Sequence, residues 1–83
     1  MRRKGQTERD FAAYMKRLVI HKIRYMTKLD DVGGYHAQLW MARLRGETSF
    51  RIDDFLILCD FLGVHPSDVM AGWELEEGMK NNE

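Results

Sequence analysis

The feature that most constrains the fold is the helical spacing of apolar residues between positions 52 and 62. Ile52, Phe55, Leu56, Cys59 and Leu62 recur at intervals of three and four, which places them on one face of an α-helix. Strict alternation of apolar and polar residues, the pattern of a half-buried strand, is absent, and the chain contains a single proline. The pattern therefore predicts a compact, all-α fold.

Helix start and stop signals predict five helices in one domain, since 83 residues suffice for a single core. Thr7 and Asp10 form a pair like a capping box at the start of the first helix, and Thr27 and Asp30 repeat this pair at the start of the second. Glycines after the second, third and fourth helices permit the left-handed backbone with which many helices end. The predicted helices cover about residues 7–25, 27–32, 36–45, 52–62 and 65–72.

Charge is distributed unevenly along the chain, although the net charge is zero. Residues 1–28 contain nine Lys/Arg and two Asp/Glu, a balance of +7, whereas residues 52–83 contain one Lys and eight Asp/Glu, a balance of −7. A basic half is what a polyanion would bind, although a solvated surface could also carry this asymmetry by accident. We expect a flexible basic arm at 1–6, one folded domain at 7–72 and an acidic tail at 73–83.

Enzymatic, metal-binding and membrane functions find no support in the sequence. No apolar run approaches the roughly 20 residues that span a bilayer, and no signal peptide is recognisable. The one cysteine cannot form an internal disulfide, which favours a cytoplasmic location. His21, His36 and His65 lie on separate predicted helices, without the spacing of metal ligands. Asp53 and Asp54 are adjacent, so they should point to different helix faces and be solvated. We predict no enzyme, no metal site and no cofactor.

Two stretches resemble a known family of DNA-binding domains. Residues 52–69 read Ile-Asp-Asp-Phe-Leu-Ile-Leu-Cys-Asp-Phe-Leu-Gly-Val-His-Pro-Ser-Asp-Val, and residues 40–46 read Trp-Met-Ala-Arg-Leu-Arg-Gly. The first is similar to the fourth helix and fifth-helix start of the lambda-repressor-like, or xenobiotic-response-element-type, domain. The second is similar to the end of that family's recognition helix. The resemblance, which covers about residues 23–70, implies a five-helix bundle containing a helix-turn-helix, with its recognition helix at about 36–45.

The resemblance also implies which residues meet DNA. Side chains at the start of a recognition helix contact base edges in the major groove, and flanking residues bind the phosphates. Gln38 is the best candidate for a base contact, because its amide can both donate to and accept from adenine. Hydroxyl and N–H groups at predicted helix starts would bind phosphate. The predicted DNA-binding residues are Lys28, Tyr35, His36, Ala37, Gln38, Arg43, Arg45, Thr48 and Ser49.

Each of these residues also has a structural interpretation. Tyr35 could cover the turn at Gly33 and Gly34 as part of the core. Arg43 and Arg45 could complement the negative end of their own helix. His36 could cap its helix and Gln38 could be merely solvated, so the helix as a unit carries the prediction.

For the protein as a whole, the resemblance implies a transcriptional regulator, of the kind of a Cro-like repressor of a phage or bacterium. Its partner would be palindromic double-stranded DNA, bound in the host cytoplasm by a homodimer. The alternative is a protein-interaction module on the same fold, such as an antitoxin or a phage anti-host factor, which an exposed apolar patch would favour. Met70, Trp73 and Leu75 could form the dimer contact, or Trp73 could fold back onto its own core.

Overall fold

A computed structural model of the protein describes residues 6–81, with side chains through residue 79. Within this range the fold is all-helical, as predicted, and contains no strand. Four α-helices follow one another along the chain: α1 (Gln6–Lys22), α2 (Ala37–Leu44), α3 (Ile52–Leu62) and α4 (Pro66–Asn81). Two short 3₁₀ turns, Met26–Leu29 and Val32–Gly34, connect α1 to α2. The predicted basic arm lies outside the described residues apart from Gln6.

The predicted count of five α-helices is not confirmed, because the region expected to form the short second helix forms the two 3₁₀ turns. Asp31, between the turns, has a φ of 72°, and Gly33, within the second turn, has a φ of 63°. These left-handed conformations interrupt the run of i to i−4 hydrogen bonds that an α-helix needs. The described residues therefore contain four α-helices.

The ends of the remaining helices agree with the sequence patterns to different degrees. α3 occupies the residues predicted for it and ends at Gly63, whose φ is 70°. α1 includes Thr7 within the helix, so Thr7 is not its cap, and the amide of Gln6 donates to Asp10 at 2.8 Å. α4 continues to Asn81, so the acidic segment expected as a tail is helical over most of its length.

One face of each helix contributes to a core built around aromatic rings. The Phe11 ring packs edge-on against Phe50, Phe55 and Trp73, with ring centres 5.8, 5.5 and 5.3 Å apart. Trp73 is only 8% exposed, so it folds onto its own core, one of the two roles predicted for it. The largest fully buried side chains are Trp40, Met15, Leu29, Leu44, Leu58, Val19 and Cys59.

The expectation that Asp54 is solvated is wrong. Asp54 is 3% exposed, whereas the neighbouring Asp53 is exposed. One oxygen of the Asp54 carboxylate accepts a hydrogen bond from the Arg51 backbone N–H at 2.9 Å, and the other lies 3.6 Å from Nη1 of Arg43. The carboxylate is buried because a helix start and a guanidinium compensate its charge.

No single helix in the described part of the chain is long and apolar enough to cross a membrane. α3 and α4 meet such a length and composition criterion only as a pair, and they are bent by 110° relative to each other.

Candidate nucleic-acid interface

α2 is a helix of eight residues whose inner side is fixed in the core. Trp40 and Leu44 are buried, and the indole N–H of Trp40 donates to the Val32 carbonyl at 2.9 Å. That hydrogen bond ties α2 to the second 3₁₀ turn, while the first 3₁₀ turn and α1 pack against the helix. Gln38 and Leu39 remain exposed. The arrangement anchors the inner side of α2 in the core and presents its outer side to solvent.

The start of α2 brings several of the predicted residues together. His36, Ala37 and Gln38 line a shallow depression of about 400 Å³ together with Thr27 and Asp30. The predicted capping pair of Thr27 and Asp30 is not formed, because Thr27 lies inside the first 3₁₀ turn and Asp30 directly follows that turn. The Asp30 carboxylate instead accepts the Ala37 backbone N–H at 3.1 Å, and Nδ1 of His36 lies 3.7 Å from the same oxygen.

The Asp30 carboxylate determines which ligand groups the start of α2 can bind. A free helix start favours phosphate, because its N–H groups and dipole are positive. Here a carboxylate already accepts the Ala37 N–H, so a phosphate at this point would meet a like charge. The exposed side chains of His36 and Gln38 are therefore better suited to polar groups such as base edges.

Arg43 and Tyr35 pack against each other and against Trp40. The guanidinium of Arg43 lies 4.1 Å from the ring centre of Tyr35 and 5.2 Å from that of Trp40, and its side chain is 18% exposed. Tyr35 is half-buried and packs edge-on against Trp40, with ring centres 5.6 Å apart. Asp54 supplies a counter-charge to Arg43 inside the fold, and the DNA contact predicted for Arg43 stays a prediction.

Arg45 is exposed and forms a two-point ion pair with Glu47, at 2.8 Å from Nε and 3.4 Å from Nη2. Exposed pairs of this kind contribute little to stability. Arg45 can therefore exchange Glu47 for another anion at small cost.

The predicted phosphate contacts flanking α2 are solvent-exposed, but not all lie where the sequence pattern suggested. Thr48 and Ser49 belong to the loop between α2 and α3, and α3 is preceded directly by Arg51. Their predicted place at a helix start is therefore wrong. Lys28 lies in the first 3₁₀ turn, which packs against α2.

Two basic residues besides the predicted Lys28 precede α2. Lys22 ends α1, and Arg24 and Lys28 follow within the connection to α2. All three are exposed, and none takes part in an ion pair with another described residue. The spacing of Lys22, Arg24 and Lys28 in the sequence is the signal that could have identified them. Lys28 places positive charge in the turn that packs against α2, where it remains available to a polyanion, whereas Lys22 lines a separate depression with Leu62 and His65.

The described residues hold no group of three or more His, Cys, Asp or Glu side chains placed to bind a metal ion. Comparisons of the chain with models of protein families, with curated proteins and with solved structures gave no match.

Proposed function

We propose that the protein is a sequence-specific double-stranded-DNA-binding transcriptional regulator. In this proposal the 3₁₀ turns and α2 act as a helix-turn-helix, with α2 as the recognition helix. The observation that supports it best is the start of α2, where the exposed His36 and Gln38 stand next to a basic connection.

The dimensions of α2 suit this role. A helix of eight residues is about 12 Å long, and the major groove is about 12 Å wide. Gln38 is the base-reading residue, since a side-chain amide can pair with both edge groups of adenine. Lys28 and Arg45 contact phosphates on either side, and Arg43 supports the helix from within.

Asp30 sharpens the discrimination between sequences. Most non-specific affinity for DNA comes from phosphate contacts. Because Asp30 occupies the start of α2, that end of the helix gains little from phosphate. Favourable binding then depends on base contacts by Gln38 and His36. The regulator would be a Cro-like repressor of a phage or bacterium, acting in the cytoplasm on a palindromic operator as a homodimer.

The test is selection from a pool of random DNA duplexes by the purified protein at about 50 and 200 mM salt, with sequencing of the retained DNA. We expect a short palindromic site whose affinity falls steeply as the salt concentration rises. Gln38→Ala should lose preference at one base position per half-site, at a cost of about 1–3 kcal/mol. Lys28→Ala should weaken binding to all sequences and reduce the salt slope by about one.

The matched control is Glu74→Gln on α4, an exposed residue of the acidic half, which should leave DNA binding unchanged or slightly stronger. No retention of any duplex at low salt would refute the proposal. Retention without sequence preference would refute the base-reading role of Gln38 and leave a phosphate-binding protein.

A further inference from the structure

A second surface lies between the beginnings of α1 and α3 and the middle of α4. It is a groove of about 360 Å³ with Phe11, Phe55 and Trp73 among its lining residues. Ile52 and Met70 also line the groove, and their side chains are 71% and 38% exposed. Large apolar side chains in contact with water around an aromatic groove are typical of a docking surface.

The apolar area continues along α3. Leu56 is one helical turn beyond Ile52, on the same side of the helix, and is 48% exposed. The groove and Leu56 together form an apolar strip over α3 and α4, which we call the α3–α4 strip.

The charges around the α3–α4 strip are mainly negative, although the exposed Arg51 lines the groove together with Glu8. Between residues 52 and 79 the chain contains no Lys or Arg. Asp53 and Asp60 flank the apolar residues of α3, and Glu74 follows Met70 by one turn of α4. These three carboxylates are exposed, and no ion pair within the described chain involves them.

We propose that the α3–α4 strip is the docking site of a cationic amphipathic helix from a partner protein. The apolar side of that helix would cover Ile52, Leu56 and Met70 and insert toward the groove. Its lysine and arginine side chains would pair with the surrounding carboxylates. This is the helix-in-groove mode of recognition, in which apolar anchors supply affinity and charges supply orientation and a fast association rate.

The charge pattern distinguishes this occupant from a second copy of the chain. A two-fold dimer through the strip would place the same surface of both copies in contact, and with it the two sets of carboxylates. Like charges at an interface oppose such a pairing, whereas a cationic helix neutralises them. The inference goes beyond DNA binding and does not depend on it.

The test uses a fluorescein-labelled amphipathic peptide of about 18 residues built from leucine and lysine, which is long enough to form a stable helix on binding. Its anisotropy is measured during titration with the full chain in the absence of DNA. We expect saturable binding that weakens as the salt concentration rises, and no binding of the matching leucine–glutamate peptide. Because Trp73 lines the groove and Trp40 is fully buried, a change in tryptophan emission would place the peptide at the strip.

Two variants test whether the peptide binds at the α3–α4 strip. Ile52→Ser removes the most exposed anchor of the strip and should weaken binding by at least about tenfold. Leu75→Ser is the matched control, because Leu75 is 72% exposed on the acidic α4 but does not line the groove. The affinity of the Leu75→Ser variant for the cationic peptide should stay within about twofold of that of the unmodified chain.

Three results would overturn the proposal. The first is no saturable binding of the cationic peptide up to about 100 µM protein, an affinity too weak for a specific partner. The second is an equal loss of peptide affinity in Leu75→Ser and Ile52→Ser, which would show that the peptide is attracted only to the acidic surface in general. The third is sedimentation of the unmodified chain as a dimer that Ile52→Ser dissociates, which would make a second copy the occupant.

Discussion

Asp54 offers the sharpest test of how this fold accommodates charge. Its side chain is 5% exposed, and the side chain of its partner Arg43 is 18% exposed. Replacing Asp54 with asparagine preserves an acceptor for the Arg51 N–H but leaves the guanidinium without a counter-charge. Removing one partner of a buried ion pair costs about 3–5 kcal/mol. Arg43 keeps its contacts with two aromatic rings and remains partly exposed. We therefore expect Asp54→Asn to lower the free energy of unfolding by about 2–4 kcal/mol.

Asp54→Ala should cost about 1 kcal/mol more, since it also removes the hydrogen bond to the Arg51 N–H at the start of α3. Asp53→Asn is the matched control, because Asp53 lies in the same first turn of α3 and is exposed. Asp53→Asn loses only the interaction of the carboxylate with the positive end of α3, which should lower the free energy of unfolding by about 0.5 kcal/mol. The measurement is urea unfolding followed by circular dichroism at neutral pH.

A double-mutant cycle with Arg43→Met separates the ion pair from the local effects. If the two side chains interact as the structure places them, the double variant should be more stable than the sum of the single effects predicts, by more than about 1 kcal/mol. Equal stabilities of Asp54→Asn and Asp53→Asn, or a coupling energy near zero, would refute the reasoning.

Two further outcomes follow from shifted pKa values. Burial, with the nearby Glu76 charge, raises the pKa of the Tyr14 phenol above its ordinary value of 10.0, so the stabilisation of the neutral phenol is present below about pH 10 and is lost as the pH rises through the folded pKa. Tyr14→Phe removes a hydrogen bond to the Val69 carbonyl and should cost about 0.5–1.5 kcal/mol at pH 7. In urea unfolding between pH 8 and 11, that difference should shrink, and a constant difference would contradict the assignment. Burial also raises the pKa of the Cys59 thiol, so Cys59 should resist alkylation by iodoacetamide at pH 8 in the folded chain and react readily in urea, whereas equally fast labelling in both states would show that it is accessible.

The parts of the fold that sequence patterns predicted are those determined by local interactions. α3 follows from its apolar periodicity and from Gly63, both of which act within a few residues. The prediction of a short second helix was wrong because the contact with α2 and the backbone at Asp31 determine the conformation of the connection between α1 and α2. The Trp40 indole takes the Val32 carbonyl as its acceptor, and Asp31 adopts a left-handed backbone. Neither the hydrogen bond nor the left-handed backbone leaves a periodic signal in the sequence.

The sequence placed three of the candidate residues together, and their contact with DNA stays a prediction. His36, Ala37 and Gln38 lie together at the start of α2 and line a single depression. The sequence shows Arg43 and Asp54 only as two charged residues on separate helices, and charged residues are normally solvated. Their pairing depends on how α2 and α3 pack, so it could not be predicted from the sequence.

The ion pairs of the structure also explain how the charge asymmetry of the chain survives folding. Among the described residues, Arg17 of the basic half pairs with Glu76 of the acidic half, and Arg43 of the middle segment pairs with Asp54. The basic connection before α2 and the carboxylates of the α3–α4 strip remain without partners in the described chain. A polyanion is attracted to the first set and repelled by the second, and a cationic helix shows the opposite preference. If the chain binds DNA as proposed, the charge distribution that would orient it there would also keep the α3–α4 strip free for a cationic partner.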